Sequence, residues 1–187
     1  MKLAQIIKLA LCQLDEDLED AVDYEELFKM YANQGHVIAF EEYYKPRERM
    51  VFQSDEHGMI YIYDECRKVI ELTDEYNRRV FFEISPDGQY LITGRPDTEF
   101  GAFVERKAHS LDDGDAEPGI PETAHPALVD YICYRHLMNG NAAKQQRSQA
   151  YYQEFLRAMR RIQPQGAGSV TRTRNLYAAT DIRNMRR

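Results

Sequence analysis

The chain is 187 residues long, with a formal net charge of −7 and a hydrophobic fraction of 43%, enough to bury a core as one ordinary domain or two small ones. That fraction excludes a disordered chain, and no run approaches the ~20 apolar residues that a membrane helix needs. Cys12, Cys66 and Cys133 are odd in number and far apart, so they suggest neither a disulfide framework nor a zinc site, and they read as small apolar residues in a reducing compartment.

The N-terminal segment "MKLAQIIKLALCQLDEDLED" is interrupted by Gln5 and Lys8 and lacks a small-residue cleavage site before its acidic run. It reads as a soluble, non-secreted start rather than a signal peptide. Within it Leu3, Ile6, Ile7, Ala10, Leu11 and Leu14 recur at helical steps, which predicts an amphipathic helix. Asp23 with Glu26 is a capping-box pattern for a second helix. Tyr24, Leu27, Phe28, Tyr31 and Ile38 fall on one face of that helix. Gly35 falls there too, and close packing against a neighbour would explain a glycine in a helix interior.

From about Arg47 to Lys107 the period changes to two. The runs "RMVFQS", "GMIYIYDE", "KVIELT", "RRVFFEI", "QYLITG" and "GAFVERK" predict six short strands. Breaks at Glu56-His57-Gly58, Asp74 to Asn77 and Pro86-Asp87-Gly88 separate them. A small antiparallel sandwich or open barrel follows. "SLDDGDAEPGIPE" then marks a boundary or flexible hinge.

Helical periodicity returns in "HPALVDYICYRHLMNGN", with Pro126 near the start, Gly140 at the stop, and Val129, Ile132, Cys133 and Leu137 as a stripe. A last helix runs from about Ala142 to Ile162, with Tyr152, Phe155, Met159 and Ile162 on one face. The short connection predicts that the two lie antiparallel. Each helical pair has one apolar stripe, so the economical fold is α+β. The N- and C-terminal helix pairs pack as a four-helix core over 1–46 and 121–163, around an inserted antiparallel β-sandwich or barrel module at 47–110. A loop at 111–120 and an extended C-terminal tail at 164–187 complete the chain.

A search for chemistry yields no catalytic constellation. Gly166 and Gly168 lack the strand and the Lys-Ser/Thr of a phosphate loop. "DEDLEDAVDYEE" lacks the spacing of a calcium loop and reads as a solvated acidic face. Cys133 and His136 lie three apart on one helix, but two ligands make no site. No catalytic residue, cofactor or metal is expected. The tyrosines Tyr43, Tyr44, Tyr61, Tyr63, Tyr90, Tyr151, Tyr152 and Tyr177 suit either protein contacts or an ordinary mixture of core and surface.

Charge is the sharper signal. The first thirty residues hold eight carboxylates against Lys2, Lys8 and Lys29, whereas the last helix carries Lys144, Arg147, Arg157, Arg160 and Arg161. Beyond it, "SVTRTRNLYAATDIRNMRR" sets Arg172, Arg174, Arg183, Arg186 and Arg187 against Asp181 alone. Head-to-tail contact between copies is one use of this asymmetry, with Asp15, Asp17 and Glu19 meeting Arg157, Arg160 and Arg161 of the next copy. Pairing within the helical core is the other.

The helix pairs "KLAQIIKLALCQLDED" with "YEELFKMYANQGHVIAF", and "AHPALVDYICYRHLMNGN" with "SQAYYQEFLRAMRRI", around a central β insert, resemble the head–tail connector (adaptor) proteins of tailed bacteriophages. The resemblance implies a structural, non-enzymatic virion protein, made in the host cytoplasm and placed at the neck. It implies a ring, a dodecamer in such adaptors, beneath the portal protein. A downstream neck or tail protein would lie on the other side, and DNA would pass through the centre without specific binding. The portal-docking part would be the tail, through Arg172, Arg174, Leu176, Tyr177, Ile182, Arg183, Met185, Arg186 and Arg187. Two other classes compete. One is a nucleic-acid-binding module using the basic arm, whose affinity would fall steeply with salt; the other is an enzyme with an unrecognised site in the β module.

Overall fold

Leu3, Ile6, Ile7, Ala10, Leu11 and Leu14 are the buried residues of the first helix, α1 (Leu3–Leu14), whose apolar stripe faces the interior. The computed structural model describes residues 1–14 and 21–162. Helix α2 (Ala21–Ile38) continues into a π-helical turn at Ala39–Tyr44. A 3-10 turn at Glu122–Ala124 leads into α3 (His125–Leu137), and α4 (Ala142–Met159) follows. Asp23 lies inside α2 and not at its N-cap, so the helix starts ahead of the expected capping box. Asn141 does cap α4, its Oδ1 accepting the Lys144 N–H at 3.0 Å, which satisfies one orphan donor of the first turn.

Two compact units result: Met1–Tyr44 with the chain from Ser110 on, and Lys45–His109. In the helical unit α3 is the hub, packing against α1, α2 and α4. Seven of its residues other than His125 are buried: Ala127, Leu128, Val129, Tyr131, Ile132, Cys133 and Leu137. Buried positions on more than one side follow from having helices on more than one side. The close approach of α2 runs through Gly35, where an added Cβ would lie 2.8 Å from Tyr131 Cδ1. Residues 138–141 fold α4 back along α3, with Tyr134 stacked on Tyr152 and Tyr131 against Phe155.

The segment after the β unit is a strap rather than a free hinge. Leu111 and Ile120 are buried. The carbonyls of Ala116 and Gly114 accept the N–H groups of Leu3 and Ala4 at 2.9 and 3.0 Å, satisfying donors that the start of α1 leaves open. Asn33 of α2 clamps Leu111 from both sides, accepting its N–H at 2.7 Å and donating to its carbonyl at 3.2 Å. Buried His36 accepts the Gly119 N–H at Nε2, 3.0 Å away. Sequence composition marks Asp, Gly and Pro as loop formers but carries no trace of these distant partners.

The second unit is a sandwich. One antiparallel sheet has the order β1 (Arg47–Gln53), β6 (Glu99–Arg106), β3 (Cys66–Thr73). The other has the order β2 (Met59–Tyr61), β5 (Tyr90–Ile92), β4 (Glu83–Ile84). Phe52, Ile60, Cys66, Val69, Leu72, Val80, Leu91, Phe100, Ala102 and Val104 form its single core cluster. In β3 the buried residues Cys66, Val69 and Leu72 are three apart, because register shifts at Cys66/Lys68 and Val69/Glu71 each insert a residue. The expected strand over "RRVFFEI" shortens to Glu83–Ile84, with only a bridge between Thr73 and Arg79 before it.

The three expected breaks are Asx turns. Asp55 Oδ1 accepts the N–H groups of His57 and Met59 at 2.9 and 2.8 Å, and Asp74 Oδ1 those of Tyr76 and Arg78 at 3.0 and 2.9 Å. Asp87 Oδ1 accepts from Gln89 N–H and the Ser85 hydroxyl. The Met59 and His57 amides hold the Asp55 carboxyl below the usual carboxylate range. At Gly58, φ is +74° and a Cβ would sit 2.7 Å from the Arg95 nitrogen, so conformation and space both demand glycine.

Candidate functional site

Three of the residues singled out by charge, Arg157, Arg160 and Arg161, lie at the C-terminal end of α4. Arg157 lies in its last turn, where cations favour the helix dipole. Its guanidinium pairs with Glu154 Oε1 and Oε2 at 2.7 and 2.9 Å on the same helix. Arg160 and Arg161 follow the helix and are exposed. Further up α4, Arg147 donates to the Gln13 carbonyl at 3.4 Å. Asp15, Asp17 and Glu19 lie outside the described residues. So do the tail residues Arg172, Arg174, Leu176, Tyr177, Ile182, Arg183, Met185, Arg186 and Arg187.

Beside Arg161 the helical unit holds a cavity of about 530 Å³, lined by Tyr44, Pro121, Thr123, Ala124, Ala158 and Ile162. Three separate stretches build it: the π-helical turn supplies Tyr44, the end of the strap and the 3-10 turn supply Pro121 to Ala124, and α4 supplies the rest. Ala124 and Ala158 are small where larger side chains would close the space. No spacing pattern in the sequence links Tyr44 to Ala124 and Ala158, so periodicity alone gave no signal for this cavity.

The other candidate groups serve the fold. Cys133 lies within sulfur hydrogen-bonding range of the Ala10 carbonyl and Gln13, whereas His136 packs edge-on against Tyr24 and Phe28. The two therefore point to different helices and do not converge as ligands. Burial pushes the Cys133 thiol up to about 12 and raises that of Cys66, so neither is a ready nucleophile. His125 is buried; its Nε2 faces the Ile120 carbonyl at 3.0 Å and must carry the proton, while Nδ1 receives the Met1 α-amino group at 2.7 Å. Asp130 on α3 is pushed up to about 6, first by burial and then by the Glu154 carboxylate. Among the described residues no group of three or more His, Cys, Asp or Glu is placed to hold a metal ion. No helix there is long and apolar enough to cross a membrane.

The tyrosines divide between roles. Tyr152 is stacked in the α3–α4 seam, while Tyr61, Tyr63 and Tyr90 form an aromatic group on the β unit, with Tyr63 stacked on Phe52.

A family model described as SU10 adaptor protein matches residues 41–179. The match begins in the π-helical turn and takes in the β unit, the strap, α3, α4 and the larger part of the basic tail. No curated protein matches the chain.

Proposed function

The chain belongs to the SU10 adaptor protein family, a structural kind of phage virion protein, and on that premise we propose that it acts as a ring-forming head–tail adaptor at the neck. In this reading it binds the portal protein through the tail from 164 to 187, and its opposite side receives the next neck or tail protein. Copies form a ring, a dodecamer on the pattern the sequence resembles, and DNA passes through the centre. The single observation that carries the reading is the family match, which reaches from the π-helical turn into the tail.

The architecture supports it. The described residues on either side of the β unit build one helical unit, and its last helix ends just before exposed Arg160 and Arg161. The tail combines charge-assisted donors with apolar anchors, Leu176, Tyr177, Ile182 and Met185, a combination suited to a protein surface. The acidic balance of the chain disfavours sticking to DNA in transit.

The test is deletion of residues 164–187. The truncated chain is expected to keep its circular dichroism spectrum and to lose attachment to portal-bearing heads. Attachment at the level of the full chain would overturn the docking role of the tail.

A further inference from the structure

Phe81 is 95% exposed, the most exposed of the large hydrophobic residues described. Its neighbours Val80 and Phe82 turn inward, Val80 into the core of the β unit and Phe82 packed against it. The alternation therefore drives Phe81 outward. The segment is held in place: the Val80 N–H donates to the Leu72 carbonyl at 2.9 Å, and Arg79 pairs with Glu71 at 2.6 and 3.0 Å. The ring is thus presented from a braced strand-like segment, and its apolar area is left unused by the fold. Glu83, two residues on, shares its outward direction and is exposed, and Ile84 is 60% exposed.

The helical unit carries an unfilled cavity of about 530 Å³, lined by the rings of Tyr44 and Pro121, by the small Ala124 and Ala158, and by exposed Arg161. Such a space has room for an aromatic side chain, and the exposed guanidinium among its lining groups can meet both a carboxylate and a ring face.

We propose that Phe81 of one copy enters the cavity of the helical unit on a second copy, with Glu83 pairing with that copy's Arg161. The occupant comes from another copy because Phe81 is solvent-exposed within its own chain. A knob and a hole on different parts of the same molecule make a heterologous contact, which closes into a ring when the rotation allows. The inference rests on the ring reading and deepens it by assigning one subunit contact.

The test uses the full-length chain with Cys12, the exposed cysteine, changed to Ser; Cys66 and Cys133 are buried. Glu83→Cys and Arg161→Cys are placed in separate chains, which leaves Phe81 intact, and the two are mixed at high concentration under oxidising conditions. A disulfide-linked pair of one chain of each kind is expected, well above the level each variant forms alone. In parallel, Phe81→Ala should weaken self-association, read by sedimentation, by roughly tenfold or more.

If the parent chain associates while the mixed pair does not form and Phe81→Ala has no effect, the inference is overturned and the ring reading stands. If the bond forms within a single chain carrying both cysteines and not between the two variants, the occupant is the chain's own segment and the inference is likewise overturned. If the parent chain never associates, alone or on portal-bearing heads, the ring reading falls and this contact falls with it.

Discussion

Replacing Gly35 by Ala tests whether the α2–α3 contact is set by side-chain volume. In an unobstructed helix interior this change stabilises by about 1 kcal/mol, because alanine restricts the unfolded chain and has the better propensity. Here the new methyl carbon would sit 2.8 Å from Cδ1, 3.0 Å from Cγ and 3.2 Å from Cβ of Tyr131, against a carbon–carbon optimum of about 3.5–4.0 Å. Rotation of the ring does not relieve this, since Cβ is fixed by the α3 backbone. The ring is also packed against Phe155 at 5.0 Å and Tyr134 at 5.8 Å between centroids. The two helices must separate, which puts the overpacking cost at the upper end of about 1–3 kcal/mol. The net expectation is a loss of about 2 kcal/mol, or about 4–8 °C in the transition midpoint. Urea and thermal unfolding followed by circular dichroism give this number directly. In a Tyr131→Ala background, which removes Cδ1 and Cγ and leaves only the 3.2 Å approach to Cβ, the same substitution should lose most of its cost, a coupling of about 2 kcal/mol across the cycle. A neutral or stabilising Gly35→Ala in the parent, or an equal cost in both backgrounds, would refute the reasoning.

Asp130 gives a pH signature: with its carboxyl pushed up to about 6 by burial and by Glu154, the folded chain holds a proton that the unfolded chain releases between about pH 4 and 6. Stability from this group therefore falls as pH rises through that window. Asp130→Asn should be more stable than the parent by about 1 kcal/mol at pH 8, after allowing for its partial exposure to solvent. It should match the parent below about pH 4, and an equal difference at both pH values in urea titrations would contradict the assignment. Asn33→Ala removes the clamp on Leu111, whose backbone is then buried without its side-chain partners. A loss of about 1–3 kcal/mol is expected, with faster proteolytic cleavage in the strap, and unchanged cleavage would argue that the strap is held elsewhere.

Short-range physics was legible where the chain's own spacing decides the outcome. The six buried residues of α1, the breaks at Glu56-His57-Gly58, Asp74 to Asn77 and Pro86-Asp87-Gly88, and the close approach at Gly35 all follow from residue type and period. Errors arose where a distant partner or an irregularity intervened. Bulges in β3 convert an expected two-residue alternation into burial at Cys66, Val69 and Leu72. The strap looks free in composition because its bonds go to Asn33, His36 and the start of α1. At the candidate site, the arginines at the end of α4 stand out as a charge run. The cavity beside them needs Tyr44, Pro121 and Ala158 to meet in space, and no local pattern encodes that.

The β unit enters and leaves the chain at one place. Arg47 is in register with Glu105, and the Arg106 N–H donates to the Pro46 carbonyl at 3.3 Å. Once folded, the insertion therefore closes its own loop and returns the chain close to where it left the helical unit. Loop-closure entropy grows only slowly with length, by about 0.6 kcal/mol per doubling, so the helical unit is nearly indifferent to what fills the gap. Shortening or lengthening the insert between Tyr44 and Ser110 is therefore expected to change the stability of the helical unit little, as urea unfolding of such variants would show. The β unit is thus a closed insertion whose two ends meet within its own sheet.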